Sequence, residues 1–274
     1  MKGQIVKIIS NDYFVVSENK EYRCKARGNF RNRNVIPKVG DYVSFNNNDL
    51  VITEIFKRKN DLDRPNVANI DRAFLITSLK SPDFSTNLLD KLLVICHINE
   101  IEPIICFTKK DLLTKQEYKK LKPILNYYKK IGYRVVYNTN ISKIKRMFKD
   151  KTTVFTGQTG AGKSTLMNKF DKSLNFETQE ISKALGRGKH TTRYVTLVNL
   201  FKGKVLDTPG FSALDLSKYS DNQIKEAFIE FSNYSCPYKD CKHLEEKECV
   251  VKKEVGKKIL KSRYDNYKKF IEKR

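Results

Sequence analysis

The sequence predicts a multidomain chain: an N-terminal OB-type β-barrel, a central α/β domain, and a C-terminal, mainly helical segment built on a metal-type cluster. Three observations predict it. Residues 1–63 carry short β-branched and aromatic runs separated by turn signals. Residues 64–218 alternate apolar strands with helices, the rhythm of a mainly parallel sheet covered on both faces. Residues 219–274 place three cysteines and a histidine within 14 positions, ahead of a basic tail.

Composition narrows the function classes. Of 274 residues, 54 are Lys or Arg and 31 Asp or Glu, a net charge of +23 and a pI near 9.7. At 39% hydrophobic and 31% charged, with a mean hydropathy of −0.56, the chain reads as globular. Its longest apolar run, residues 92–96, is far short of the roughly 18–20 residues of a membrane span. Lys7 interrupts any signal-peptide core near the N-terminus, so the expected location is the cytoplasm. A cytosolic location argues against a disulfide framework among the six cysteines. The cationic excess calls for a polyanion, and nucleic acid is the commonest one available there. A Lys- and Asn-rich compositional bias would give the same pI without a partner.

Taken in order, strands are expected at 4–10, 13–17, 21–27, 41–45 and 50–56, with turn signals at Asn11-Asp12, Glu18-Asn19, Val39-Gly40 and 46–49. Five strands with no clear helix fit an OB-type, RNA-binding barrel; an SH3-like barrel or open meander shares the pattern. Residues 31–34 and 57–59 add basic and polar loop positions. Arg64-Pro65-Asn66 breaks the chain and sets the first boundary. Strands then follow at 72–77, 103–107, 133–137, 152–155, 194–200 and 203–206. Helices are expected at 88–98, 116–130 (interrupted near Pro123) and 162–170. Past Tyr219 come a helix at 223–231, the cluster and the tail, with no internal repeat.

The strongest local signal is Gly157-Gln158-Thr159-Gly160-Ala161-Gly162-Lys163-Ser164-Thr165. It matches G-x-x-x-x-G-K-[ST] between a strand and a helix, the context of a P-loop. Its amides and the helix N-terminus attract phosphate; Lys163 reaches the β- and γ-phosphates and Ser164 ligates Mg²⁺. Thr108-Lys109-Lys110-Asp111 follows another apolar strand, where a carboxylate accepts two hydrogen bonds from guanine N1–H and its exocyclic amine. Adenine offers no such donor pair, so the P-loop and this motif together select GTP. After the strand 203–206 comes Asp207-Thr208-Pro209-Gly210, in which Asp207 suits Mg²⁺ and the Gly210 amide the γ-phosphate. Between them, Gly186-Arg187-Gly188-Lys189-His190-Thr191-Thr192 suits a mobile loop, with Thr191 and Thr192 as Mg²⁺ candidates.

The order of these elements is unusual. Ras-like GTPases place the P-loop first and the guanine motif late, whereas here 108–111 precedes 157–165 and Asp207 comes last. The pattern is that of a circularly permuted P-loop GTPase. It ties the γ-phosphate loop directly to the C-terminal region and the guanine end toward the barrel.

Cys236-x4-Cys241-x-His243-x5-Cys249 supplies three thiolates and an imidazole, the ligand set of a closed structural zinc site with no open catalytic position. In the tail, residues 252–274 hold ten Lys or Arg against three acids. Tyr264, Tyr267 and Phe270 recur there at helical spacing, so a packed aromatic face and an RNA-facing basic one are expected. His97 is read as packed or surface-exposed, without function.

Barrel, permuted G domain, G-R-G-K-H-T-T loop and Cys/His cluster together resemble the RsgA (YjeQ) family of small-ribosomal-subunit biogenesis GTPases, over essentially the whole chain. The resemblance implies an OB-fold (1–63), a permuted G domain (64–218) and a zinc-binding domain with a basic helical tail (219–274). It also implies ribosome-stimulated hydrolysis of GTP to GDP and phosphate in late subunit maturation. The expected cofactors are Mg²⁺ with GTP and one structural Zn²⁺; the partners are the small subunit and its rRNA, with no membrane and a monomeric chain. Thr108 stands where many GTPases have Asn. Phe211 follows Gly210 in place of the water-orienting Gln of Ras-like proteins, and the family pattern makes His190 the candidate to position water. The competing class is a zinc-stabilised rRNA-binding assembly protein that uses GTP mainly as a regulatory ligand, and the missing Gln keeps it open.

Overall fold

The computed structural model describes residues 1–27, 30, 35–63, 66–170, 195–207 and 215–272. Partial alternation gives the first five strands one buried face each: β1 (Lys2–Ile9), β2 (Asp12–Ser17), β3 (Lys20–Ala26), β4 (Tyr42–Asn46) and β5 (Val51–Ile55). Ile5, Val15, Cys24, Val43, Phe45 and Ile52 meet inside. Strand order is β1-β2-β3-β5-β4, β3 and β5 run parallel, and β4 pairs back onto β1. That last pairing closes a barrel and removes the open-meander alternative. A short hairpin, β6 (Asp61–Asp63) with β7 (Asn66–Ala68), follows.

The α/β region runs β8 (Arg72–Ser78), α1 (Thr86–Ile98), β9 (Glu102–Thr108), α2 (Lys115–Lys130), β10 (Arg134–Tyr137) and α3 (Ile141–Arg146). It continues through β11 (Thr152–Gly157), α4 (Lys163–Phe170), β12 (Thr196–Leu200) and β13 (Gly203–Asp207). Strands lie in the order β10-β9-β8-β11-β13-β12, parallel except for β12. Every residue of β8 is buried, because helices cover both faces and leave no polar side to alternate with. Leu75, Leu93, Ile105 and Phe107 pack on one face; Phe74, Ile76, Ile104 and Phe155 pack on the other. A bulge between Ile5 and Lys7 bends β1 past the barrel, and Lys7 pairs with Thr196 of β12. Barrel and central sheet are therefore one hydrogen-bonded surface.

Two expectations on helices need correction. α2 is continuous through Pro123. Pro123 and Lys119 both lie on the exposed side, so water satisfies the Lys119 carbonyl that loses its N–H partner. The helix expected at 223–231 is instead α5 (Asp221–Glu226) followed by a 3-10 turn, Ile229–Asn233. Ser220 and Gln223 form a capping box that starts α5 early, and Phe228 (φ −86°, ψ 74°) leaves the helical region and ends it. That turn carries Glu230 and Phe231 into the interior. Two further helices, α6 (Val250–Glu254) and α7 (Lys261–Glu272), complete the described chain. Among the described residues no helix is long and apolar enough to cross a membrane.

Candidate functional site

Parallel β8, β9, β11 and β13 present their carboxyl ends along one edge of the sheet. From β8 the chain proceeds outward through β9 and β10, whereas β11 lies on its other side beside β13. Open α/β sheets bind ligands in the crevice at such a switch point. All the phosphate and base motifs read from the sequence converge there or lie outside the described residues.

The P-loop begins as β11 ends. Gly157 has φ +140°, and a Cβ on it would stand 2.0 Å from the Ile76 carbonyl oxygen, so only glycine passes β8 this closely. Gly162, at φ +93°, turns the chain into α4. The Lys163 ammonium folds across the loop, donating to the carbonyls of Gly157 at 2.7 Å and Gln158 at 2.9 Å. Its partial burial lowers its pKa. Gln158, Thr159, Gly160, Ala161, Ser164 and Thr165 stand on the same loop and first turn.

Thr108 ends β9, fully buried, and its hydroxyl donates to the Ala161 carbonyl at 2.7 Å. The residue that departs from the usual Asn thus fastens the 108–111 turn to the P-loop. Lys109 takes a left-handed conformation (φ 57°) and donates to the Ser81 carbonyl. The Lys110 ammonium sits 4.3 Å from the Tyr118 ring centroid and 5.3 Å from that of Tyr137. Held by these two lysines, the 3-10 turn Lys110–Leu112 leaves Asp111 exposed at the sheet edge. Sequence reasoning missed Asn138, directly after β10, whose N–H donates to the Phe107 carbonyl at 3.0 Å and brings residues 138–140 beside the guanine motif. No motif marks it; its one signal is its place at a strand end.

Asp207 closes β13 opposite Thr196. His190, Thr191, Thr192, Gly210 and Phe211 lie outside the described residues.

At the other end of the chain, the side chains of Cys236, Cys241, His243 and Cys249 bring their ligand atoms within 4.8 Å of one another. His243 Nδ1 stands 3.3 Å from the Sγ of Cys241, 3.3 Å from that of Cys249 and 3.6 Å from that of Cys236. The Sγ atoms of Cys236 and Cys249 are 3.8 Å apart. Tetrahedral zinc with Zn–S near 2.3 Å and Zn–N near 2.0–2.1 Å demands edges of about 3.8 Å for S···S and about 3.6 Å for S···N. The donor set matches in chemistry and in size. His243 adopts φ 60°, and the hydroxyls of Tyr264 and Tyr267 donate to the carbonyls of His243 (2.7 Å) and Lys242 (2.5 Å). The aromatic face expected on α7 is buried accordingly. Arg263, counted above with the basic face, is on the packed side: fully buried and bonded to Asp90 and Glu230. Cys24, Cys96 and Cys106 are buried and are not part of this cluster, and burial pushes the last two thiols up to about 12. His97 is exposed.

Comparison with known proteins agrees with this geometry. The RsgA GTPase family matches residues 55–217, and the RsgA N-terminal domain matches 2–50. A relative from Pediococcus pentosaceus, named small ribosomal subunit biogenesis GTPase RsgA, is 46% identical across 98% of this chain and 92% of its own. One of the same name from Enterococcus faecalis is 43% identical across 99% and 94%. Among solved structures, YjeQ from Thermotoga maritima superposes with a TM-score of 0.86 at 32% identity, covering 99% of this chain and 97% of that one. YloQ, described as a circularly permuted GTPase, gives 0.81 at 36% identity, covering 99% and 94%. In sequence and in fold the chain belongs to the RsgA family of circularly permuted P-loop GTPases, enzymes that hydrolyse GTP.

Proposed function

We propose that this GTPase binds the small ribosomal subunit through its rRNA and hydrolyses GTP there during late subunit maturation. The GTP part of this reading is supported by the Thr108–Ala161 hydrogen bond, which joins residues 108–111 to the P-loop within a permuted sheet, and the subunit part by relatives named small ribosomal subunit biogenesis GTPase that match along 92–94% of their own length. In this reading residues 1–63 are an OB-fold RNA-binding domain, 64–218 the G domain and 219–274 a zinc-binding domain with a basic tail. The protein acts as a cytoplasmic monomer.

Each residue role follows from chemistry. Amides of Gln158, Thr159, Gly160, Ala161, Gly162 and Lys163 line the β-phosphate, and Lys163 exchanges its two carbonyl partners for β- and γ-phosphate oxygens, which bind an ammonium more strongly. The Gly210 amide meets the γ-phosphate. Oxygens of Ser164, Asp207 and Thr191 or Thr192 are hard donors suited to Mg²⁺, which supplies neutralisation of charge shared by the β- and γ-phosphates. Asp111 accepts from guanine N1–H and its amine, with Thr108, Lys109 and Lys110 holding its turn. His190 orients the attacking water that Phe211 cannot. Cys236, Cys241, His243 and Cys249 hold Zn²⁺, a structural cross-link.

The test is GTP hydrolysis with and without purified small subunits, with ATP as control. Subunits are expected to accelerate GTP turnover selectively, and His190→Ala to cut the stimulated rate on the order of 10²-fold while sparing nucleotide affinity. Flat, negligible turnover in the wild type favours an assembly protein with a regulatory nucleotide, and an unchanged stimulated rate removes His190 from catalysis.

Base choice is tested separately. Asp111→Asn replaces an acceptor by a donor, so GTP affinity is expected to fall roughly 10- to 100-fold, the scale of hydrogen bonds to a charged group. Xanthine nucleotides, whose 2-oxo group accepts, should gain. Equal GTP affinity in titrations of both proteins would refute the assignment of Asp111.

A further inference from the structure

The amino-terminal edge of the central sheet, opposite the phosphate loop, carries a second concavity. A cleft of about 470 Å³ opens where barrel strand β4 meets the β12–β13 hairpin and the turn before β11. Backbone contacts fix its shape. The Asp150 N–H donates to the Lys202 carbonyl, and the Lys204 N–H to that of Lys151, both at 2.9 Å. Gly203 passes so near this turn that a Cβ would stand 1.9 Å from the Phe148 carbonyl oxygen. Lys204 Nζ donates to Gln4 Oε1 of β1, binding the barrel to the sheet beside the cleft. The cleft is preformed.

Its chemistry is aromatic and cationic. Tyr42, from the barrel, lines it with 47% of its surface exposed. Phe201 comes from the hairpin turn, held edge-on by Phe148 (5.6 Å) and Phe170 (5.7 Å). Lys151 and Lys202 line it too, and among the described residues neither carries an ion pair. Of the two acids present, Asp71 is committed to Lys59 and to the Thr152 N–H, which leaves Asp150. A second observation is independent of the cavity. Phe201 (φ 50°) and Lys202 (φ 62°) are both left-handed, a two-residue hairpin turn that favours Asn-Gly and resists bulky side chains. The chain keeps an aromatic ring and a lysine there against turn preference, and both border the cleft. Packing of Phe201 on Phe148 and Phe170 holds the turn in this conformation and sets Lys202 at the border of the cleft.

We propose that this cleft takes one unstacked nucleotide of single-stranded RNA, its base on the Tyr42 ring and its flanking phosphates on Lys151 and Lys202. Aromatic faces beside lysines are how proteins hold single strands irrespective of sequence, and the +23 chain draws a polyanion to the surface. The proposal extends the rRNA-binding reading to a face away from the nucleotide site.

The probe is a ten-nucleotide labelled oligouridylate, titrated with the full chain by fluorescence anisotropy, alongside the same oligomer with abasic central positions. Tyr42→Ala is expected to weaken binding of the intact oligomer roughly 5- to 150-fold, the range for losing one stacked base, and Tyr42→Phe to keep it. Lys202→Glu should weaken both oligomers and lower the salt dependence. On the abasic oligomer Tyr42→Ala should cost nothing further. Unchanged affinity for a GTP analogue verifies that each variant is folded. Wild-type binding by Tyr42→Ala, equal loss on both oligomers, or no binding by the wild type overturns the proposal and turns the cleft toward a protein partner. Because the probe contains no ribosomal subunit, failure of the subunit-stimulated GTPase reading appears in the hydrolysis assay and not here.

Discussion

Cys241→Ser, or removal of metal by a chelator, is expected to unfold residues 234–272 while the P-loop still binds GTP. Cys249 is fully buried, Cys241 is 3% exposed and His243 7%, so three of the four candidate ligands have little water to turn to without a metal, and only Cys236 is half-buried. Binding of zinc to such sets contributes on the order of 10 kcal/mol at neutral pH, far above the few kcal/mol that any other single contact in this region supplies. The knuckle also holds α7, because Tyr264 and Tyr267 spend their hydroxyls on the carbonyls of His243 and Lys242. Opening the knuckle therefore removes both hydrogen bonds that anchor α7 to it. Metal content and limited proteolysis read the outcome: one zinc per wild-type chain, none in the variant, and new cleavage beyond residue 234. A variant that keeps its zinc and its protease resistance would strike Cys241 from the ligand set.

What the sequence discloses divides along physical lines. The motifs at 157–165 and 108–111 are local, strings of particular residues at fixed spacing that stand in the sequence whatever the fold, and the structure adds that the two are joined through Thr108 and Ala161. Apolar strands between helices likewise announced a parallel sheet. The closure of β4 on β1 and the pairing of Lys7 with Thr196 are long-range choices of register, which no window of sequence contains. The second of these alters the expected wiring. Covalently, the barrel adjoins the half of the sheet that carries residues 108–111, but its hydrogen bonds run to β12, the strand that follows residues 186–192 in the sequence. Meanwhile α7 packs against α1, between β8 and β9. Pro123 shows the converse error: a local breaker was read correctly for its chemistry, but whether the freed carbonyl faces water depends on tertiary burial.

Arg263 illustrates a residue whose sequence context misdirects, and its replacement has the second largest expected effect. Among ten basic residues of the tail it looked like surface charge. Instead its guanidinium is fully buried, forked onto Glu230 at 2.5 and 2.9 Å and bonded to Asp90 at 2.7 Å. Asp90 in α1 also accepts from Tyr128 (2.8 Å) and Asn266 (2.7 Å), and the guanidinium lies 4.6 Å from the Phe228 ring centroid. Burial pushes the Asp90 carboxyl up in pKa, and the neighbouring Arg263 opposes that rise. One cation thus holds two buried carboxylates and joins α1, whose N-terminal turn lies beside Gly157 and Gln158, to the C-terminal module. Arg263→Ala leaves both acids unpaired and is expected to cost about 3–5 kcal/mol, the range for breaking a buried ion pair by removing one partner. Urea unfolding should show it as a lowered midpoint, with α7 the first segment exposed to protease. Adding Asp90→Asn and Glu230→Gln to Arg263→Ala removes the stranded charges and should recover part of the loss, since the penalty lies in unpaired burial and not in the missing attraction alone. A single variant that unfolds at the wild-type midpoint would mean that water already reaches these carboxylates. Full loss in the triple variant would mean that the arginine acts through shape and ring contacts rather than charge.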